Sequence, residues 1–216
     1  MDSKKACDAY LGAIRRGSRK DAMEVVAGAR EAGLSAGELY VEVFQPALRE
    51  IGRLWQENEI SVADEHLATA ITQSAMANLF DQLATSHGGS PPTLIAACAD
   101  VEKHEIGLRM LCDLLELEGW ETIYLGAGVD LERLVEVVRK EQPVAIALSV
   151  TMAHHLPRLK VMSDGVRALM PENPPVIIMG GRALLERPEL ALEYGADLTA
   201  SDARDAVRAL QARVRE

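Results

Sequence analysis

Two patterns of apolar positions divide the chain. Through residue 86, apolar side chains recur at helical spacing and no segment reads as a convincing strand. Residues 4–15 place Ala6, Tyr10, Leu11 and Ile14 on one face before Gly17-Ser18 breaks the run. Ser18 is suited to cap a second helix over residues 19–32, and Gly33 closes it. Ser35 would cap a third, reaching Ile51 on Leu39, Val43, Phe44 and Leu48. Pro46 falls inside that span, so a kink or break is expected there. A last long helix starts at Ser61 or Ala63 and runs to about Ser86. Helices of this length joined by short turns predict an N-terminal four-helix bundle over residues 1–86.

Beyond that point the period changes. The segment SHGGSPP stops the helix and supplies a linker, residues 87–92. Short apolar runs then alternate with amphipathic ones. Strands are expected at 93–98, 121–125, 144–149, 176–179 and, briefly, 198–199. Helices are expected at 104–117, 131–140, 156–169, 182–186 and from Asp202 to Arg215. Strand–helix alternation of this kind predicts an α/β domain over residues 93–216: a doubly wound, five-stranded parallel sheet of the flavodoxin or Rossmann-like class.

The chain's 216 residues, 48% of them hydrophobic, supply ample core for this plan. A formal net charge of −10 argues against nonspecific nucleic-acid binding, which depends on Lys and Arg neutralising phosphates. Cys7, Cys98 and Cys112 have no metal-ligand spacing, and Cys98 and Cys112 fall at core positions. No apolar run reaches membrane-spanning length, and the charged N-terminus is unlike a signal peptide. The expectation is a cytoplasmic protein that neither enters a membrane nor binds DNA directly.

Candidate chemistry begins at the first βα loop. His104 lies where open parallel sheets bind ligands, and Glu102 is near enough to orient one ring nitrogen while the other faces outward as a metal ligand. The spacing Glu102-x-His104-x-x-Gly107 resembles the cobalamin-binding signature Asp-x-His-x-x-Gly. That resemblance implies cobalamin as cofactor, with His104 as the lower cobalt ligand. Glu102 would hold its second nitrogen, and Gly107 would let the corrin lie close. Glu105 and Ile106, between them, would line the same surface. Glu102 departs from the family's aspartate by one methylene. Ser149-Val150-Thr151, after the third strand, resembles the family's segment beside the buried nucleotide tail. Gly180-Gly181, after the fourth, resembles its glycine pair. A tail threaded between strand ends needs hydroxyls for its polar atoms and missing side chains for its bulk.

A second constellation lies in the bundle segment IGRLWQENEISVADEHLATA, where Trp55 is followed after nine residues by Glu65-His66. An indole suits an organic group above a corrin, and the carboxylate and imidazole suit ribose hydroxyls. This arrangement resembles that of the CarH-type photoreceptors, which implies adenosylcobalamin rather than methylcobalamin. Trp55 would pack on the adenosyl group, with Glu65 and His66 contacting it. In DNA-binding members a histidine directly after the tryptophan takes the upper cobalt position after light. Here that residue is Gln56, a poor cobalt ligand because its amide nitrogen lone pair is delocalised.

Residues 1–17 cannot hold the winged helix of those repressors. The reading is therefore a light sensor acting through homo-oligomerisation, as dimer or tetramer, or through a downstream protein partner. The photocobilins, which add a bilin, extend the resemblance, although no segment marks a bilin pocket. The rival reading is a methyl-carrier corrinoid protein that partners a methyltransferase, with the same layout and the same lower histidine. A radical mutase subunit is a weaker third, since such subunits rely on a separate substrate barrel.

Overall fold

A computed structural model describes residues 1–83 (81–83 as backbone only), 90–99, 101–185 and 187–214. The end of the last bundle helix near Ser86, most of the linker with His87, and the terminal residues Glu186 and Arg215 of two expected helices lie outside the described residues. The chain forms two compact units, residues 1–84 and 85–216.

The first unit is helical: α1 (Ser3–Arg15), α2 (Arg19–Glu31), a single turn α3 (Ala36–Glu38), α4 (Gln45–Gln56) and α5 (Val62–Leu83). Asp2 caps α1 and Ser18 caps α2, each accepting a backbone N–H of the first turn, while Ser35 and Glu38 form a reciprocal capping box. Between α3 and α4 the helix widens into a π-helical stretch, Leu39–Phe44, directly before Pro46. Proline has no N–H for the carbonyl four residues back, and its ring crowds that carbonyl. Widening the turn relieves the clash, so the expected kink takes the form of a π segment that continues smoothly into α4. The π segment also brings Phe44 to 4.8 Å from Tyr10 and 5.8 Å from Tyr40, ring centre to ring centre, in a fully buried cluster. Tyr10 donates to Thr72 Oγ1 (3.1 Å), which itself donates to the Ala68 carbonyl, so the one polar knot of this core is satisfied.

The second unit is a five-stranded parallel sheet, β1 (Thr93–Cys98), β2 (Glu121–Gly126), β3 (Ala145–Ser149), β4 (Val176–Gly180) and β5 (Leu198–Thr199), in the order β2-β1-β3-β4-β5. Crossovers run through α6 (Ile106–Leu117), α7 (Leu131–Glu141), α8 (Leu156–Leu169) and the short α9 (Arg182–Leu185) and α10 (Glu189–Glu193), and α11 (Ala203–Val214) follows β5. β1 and β3 are buried over almost their whole length, as strands covered on both faces must be. The core around them is Ile95, Ile146, Leu148, Ile177 and Met179 with Leu134, Leu159 and Val166 from the helices. Cys98 and Cys112 are buried free thiols of this unit, and Trp120 is buried as well.

One boundary bears on function. The helix after β1 starts at Ile106 and not at His104, so His104 lies in the loop ahead of α6. Among the described residues no helix is long and apolar enough to cross a membrane.

Candidate functional site

Chain direction reverses between β1 and β3: from β1 the sheet grows outward to β2 on one side and to β3, β4 and β5 on the other. The loops leaving β1 and β3 therefore diverge and open a crevice at the carboxyl ends of these strands, the usual ligand position in such sheets. Glu102 closes the floor of that crevice. Its carboxylate is fully buried, and six donors meet it. Oε1 accepts the backbone N–H groups of Lys103 (2.9 Å) and His104 (3.0 Å) and the Nδ1–H of His104. Oε2 accepts the backbone N–H groups of Thr151 (2.8 Å) and Met152 (3.0 Å) and Nδ1 of His155 (3.3 Å). One carboxylate thus ties the loop after β1 to the loop after β3. Burial pushes the Glu102 carboxyl up, but the hydrogen bonds from His104, Met152 and Thr151 outweigh it and hold the group far below the ordinary carboxylate range.

An ionised carboxylate only accepts, so His104 carries its proton on Nδ1 when neutral. Its Nε2 lone pair is then available, on a side chain that is 50% exposed. This is the donor set of a metal-bound imidazole backed by a carboxylate. The Cys98 thiol lies beneath, 3.6 Å from the His104 carbonyl. Burial, then the charges of Glu105 and Glu102, push that thiol up to about 12, so it stays protonated and neutral.

Small and hydroxyl residues line up across the strand ends. Cys98 pairs with Ser149, and Ser149 with Gly180, in successive ladders. Ser149 is buried, Val150 is fully buried, and Thr151, Gly180 and Gly181 are half-buried. A Cβ at Gly107 or Gly180 would meet nothing within 4 Å, so both positions border open space. Gly181 differs: its φ is +105° and a Cβ there would stand 2.1 Å from the Val150 carbonyl oxygen. Its bare backbone lets the loops after β3 and β4 touch. An outward imidazole nitrogen, open space beside Gly107 and a small-residue strand end fit a planar macrocycle with a central metal and a long polar tail.

Glu105 faces away from Glu102. Its Oε2 accepts the Ala127 N–H (2.9 Å), and the positive φ of Gly126 (71°) leaves room for it where a Cβ would clash at 2.7 Å. Burial, then the Glu105 charge, push the Tyr124 phenol far above its ordinary range. Arg109 stands over the Tyr124 ring at 5.3 Å and donates to the buried Asp113 (2.9 Å). This network fastens the start of α6 to the edge strand β2 and so steadies the loop that carries His104. Ile106 is half-buried at the first position of that helix.

In the helical unit, Trp55 is the second-last residue of α4 and is 39% exposed, unlike Trp120. Arg53 binds Glu50 (2.6 Å) and Glu57 and fixes the end of this helix. Ser61 and Asp64 exchange hydrogen bonds at the start of α5, which sets out Glu65 and His66 on its first turn. Glu65 accepts from Thr69 Oγ1 (3.0 Å), and His66 is largely exposed with Nε2 3.6 Å from Glu65.

Sequence reasoning placed Glu102, His104, Ser149, Val150, Thr151, Gly180 and Gly181 at one end of the sheet, and the strand register brings them together there. It assigned His155 to the lower side or to solvent. The structure instead places His155 on Glu102, its side chain only 15% exposed, with the His154 ring edge-on at 4.1 Å. The backbone N–H groups of Thr151 and Met152 and the Glu105–Tyr124–Arg109 network were also missed. Both loops bordering the crevice were visible in sequence, and a histidine in the second of them was the available signal.

Two B12 binding domain families match the chain, one over residues 6–79 and the other over residues 92–211. The transcriptional repressor CarA of Myxococcus xanthus, of the helix-turn-helix type, is 31% identical over 166 residues, covering 76% of this chain and 54% of CarA. Monomethylamine corrinoid protein 2 of Methanosarcina acetivorans is 26% identical over 184 residues, covering 83% of this chain and 84% of that protein. The solved structure of the Methanosarcina barkeri monomethylamine corrinoid protein superposes with a TM-score of 0.84 at 21% identity, over 97% of this chain and 98% of that one, a likeness of fold. The chain spans about half the length of the first curated relatives it matches, CarA and CarH. With the second family pattern covering more than half of its residues, the chain belongs to the B12 binding domain family and is a cobalamin-binding protein.

Proposed function

We propose that this protein is an adenosylcobalamin-dependent light sensor. The reading rests on the exposed indole of Trp55 at the end of α4, followed by Glu65 and His66 on the first turn of α5. An indole held at a helix end and left uncovered is poised to cover an apolar or aromatic group. When bound, cobalamin supplies a cobalt–carbon bond that light breaks or that a methyltransferase draws on. On the protein side, His104 donates Nε2 to the metal, Glu102 keeps its Nδ1 protonated, and Ser149, Thr151, Gly180 and Gly181 accommodate the tail. Trp55, Glu65 and His66 contact the adenosyl group and distinguish it from a methyl group. Loss of that contact changes the free energy of the helical unit's surface, and a homo-oligomer or a protein partner reads the change.

The test is to load the protein with adenosylcobalamin in the dark, illuminate with green light, and record the absorption spectrum and the hydrodynamic size. A spectral change with a change of size is expected; neither changing rejects the sensor. Trp55→Ala should still bind cobalamin but lose about tenfold or more of its preference for adenosylcobalamin over methylcobalamin, a loss of roughly 1.4 kcal/mol in discrimination, measured by competitive titration.

A second reading, a methyl-carrier corrinoid protein, is supported by the 26% identity to a monomethylamine corrinoid protein across more than four-fifths of both chains. Tighter binding of methylcobalamin, together with methyl transfer to a thiol when a corrinoid methyltransferase is added, would favour it over the sensor.

A further inference from the structure

Glu102 has two imidazoles on it, one per oxygen, and only one of them is accounted for by cobalamin binding. We propose that His155 is a positioning residue that sets how strongly His104 donates to cobalt. This inference rests on cobalamin being ligated by His104 and is independent of the light response.

The geometry is asymmetric. His104 Nδ1 makes the closer contact, to Oε1, while His155 Nδ1 stands 3.3 Å from Oε2. Both rings face an ionised acceptor, so both carry a proton on Nδ1. The His155 ring is held there by its burial, by His154 against it and by its place at the end of a 3-10 turn, Ala153–His155, that leads into α8. A carboxylate divided between two N–H donors pulls on each less than it would on one alone. His155 therefore draws charge from Glu102 and moderates the imidazolate character of His104. Without it, Oε2 keeps only the Thr151 and Met152 N–H groups, the pull on His104 Nδ1–H rises, and Nε2 becomes the stronger donor. Partners of this kind tune metal affinity by about 10–100-fold.

His155→Leu removes the donor, while His155→Asn keeps an N–H near the position of Nδ1. Each variant and the unaltered protein would be loaded with aquacobalamin and titrated reductively at one fixed pH. The Co(II)/Co(I) midpoint reports the His104–Co(II) bond, and nitrogen hyperfine splitting in the Co(II) electron paramagnetic resonance spectrum reports that the ligand is His104. His155→Leu is expected to tighten the bond about tenfold, moving the midpoint about 59 mV more negative, while His155→Asn stays near the unaltered value. An unmoved or more positive midpoint in His155→Leu, with nitrogen splitting retained, overturns the role of His155 alone. Absence of nitrogen splitting in the unaltered protein overturns both it and the His104 reading beneath it. The ligand-free protein gives an independent check by 15N nuclear magnetic resonance of the histidine rings: His155 should be protonated at Nδ1, and a proton on Nε2 with none on Nδ1 overturns the proposal without any variant.

Discussion

The chemistry of this chain is concentrated on one carboxylate. Glu102 is buried and ionised, and it stays so because backbone and imidazole N–H groups replace the water it has lost. Glu102→Gln keeps the shape but turns an amide NH2 toward N–H donors. Leaving such donors unpaired should cost about 2–3 kcal/mol. The pH dependence follows from the sign of the shift. The folded-state value lies below the ordinary 4.5, so this contribution is fully present above about pH 4.5 and is lost as pH falls below it. Denaturant melts of the two proteins should differ by a constant amount near neutrality and converge in acid. A difference that grew in acid would contradict the assignment. At His104 the expectation concerns the cofactor: His104→Ala should weaken cobalamin binding about tenfold or more, or bind it with a spectrum lacking the histidine ligand. An unchanged spectrum would show that another group ligates cobalt.

At the scale of elements, two glycines near the crevice have opposite roles. Gly181 has a positive φ and almost no space beside it, so Gly181→Ala must move the loop after β3 and should lose roughly 2 kcal/mol or more of stability. Gly107 lies on the first turn of α6 with open space around it, so Gly107→Ala should fold at least as well, gaining up to about 1 kcal/mol of helix propensity. On the cobalamin-site reading it should nonetheless weaken cobalamin binding, because the methyl group occupies the face the corrin needs. Thermal melts of ligand-free protein and spectrophotometric titrations separate these effects. The elements themselves were legible where period and punctuation agree: Ser18 and Ser35 cap as their positions suggest, and the buried runs of β1 and β3 form strands. Less legible was the response to Pro46. Sequence indicates that a missing N–H must be accommodated, but whether by break, kink or π turn depends on whether widening buries Tyr40 and Phe44 against Tyr10. The start of α6 moved for a similar reason. Glu102 takes the His104 N–H for itself, so the helix cannot begin until two residues later.

For the molecule as a whole, cobalamin binding is linked to folding. A ligand that binds only the folded state at about 100 times its dissociation constant adds about 2.7 kcal/mol. Adenosylcobalamin in the dark should therefore raise the melting temperature by several degrees, and His104→Ala should lose much of that rise. Differential scanning calorimetry with and without cofactor checks both; no rise at saturating cobalamin would show that the folded state has no site. On the sensor reading the rise should also fall after illumination, whereas a methyl carrier should keep it.

Read alone, the sequence determined that a helical unit precedes a five-stranded parallel α/β unit, because apolar period and turn residues are local and survive in one dimension. It also determined the cobalamin signature, since Glu102, His104 and Gly107 lie within six positions of one another. What only the tertiary structure decided is where the second oxygen of Glu102 goes. His155 is 53 positions away and reaches that oxygen because β1 and β3 are neighbours at the point where the sheet reverses direction. Neighbourhood of that kind is set by strand order and register, and a buried charge then selects, from whatever the fold brings near, the donors that satisfy it.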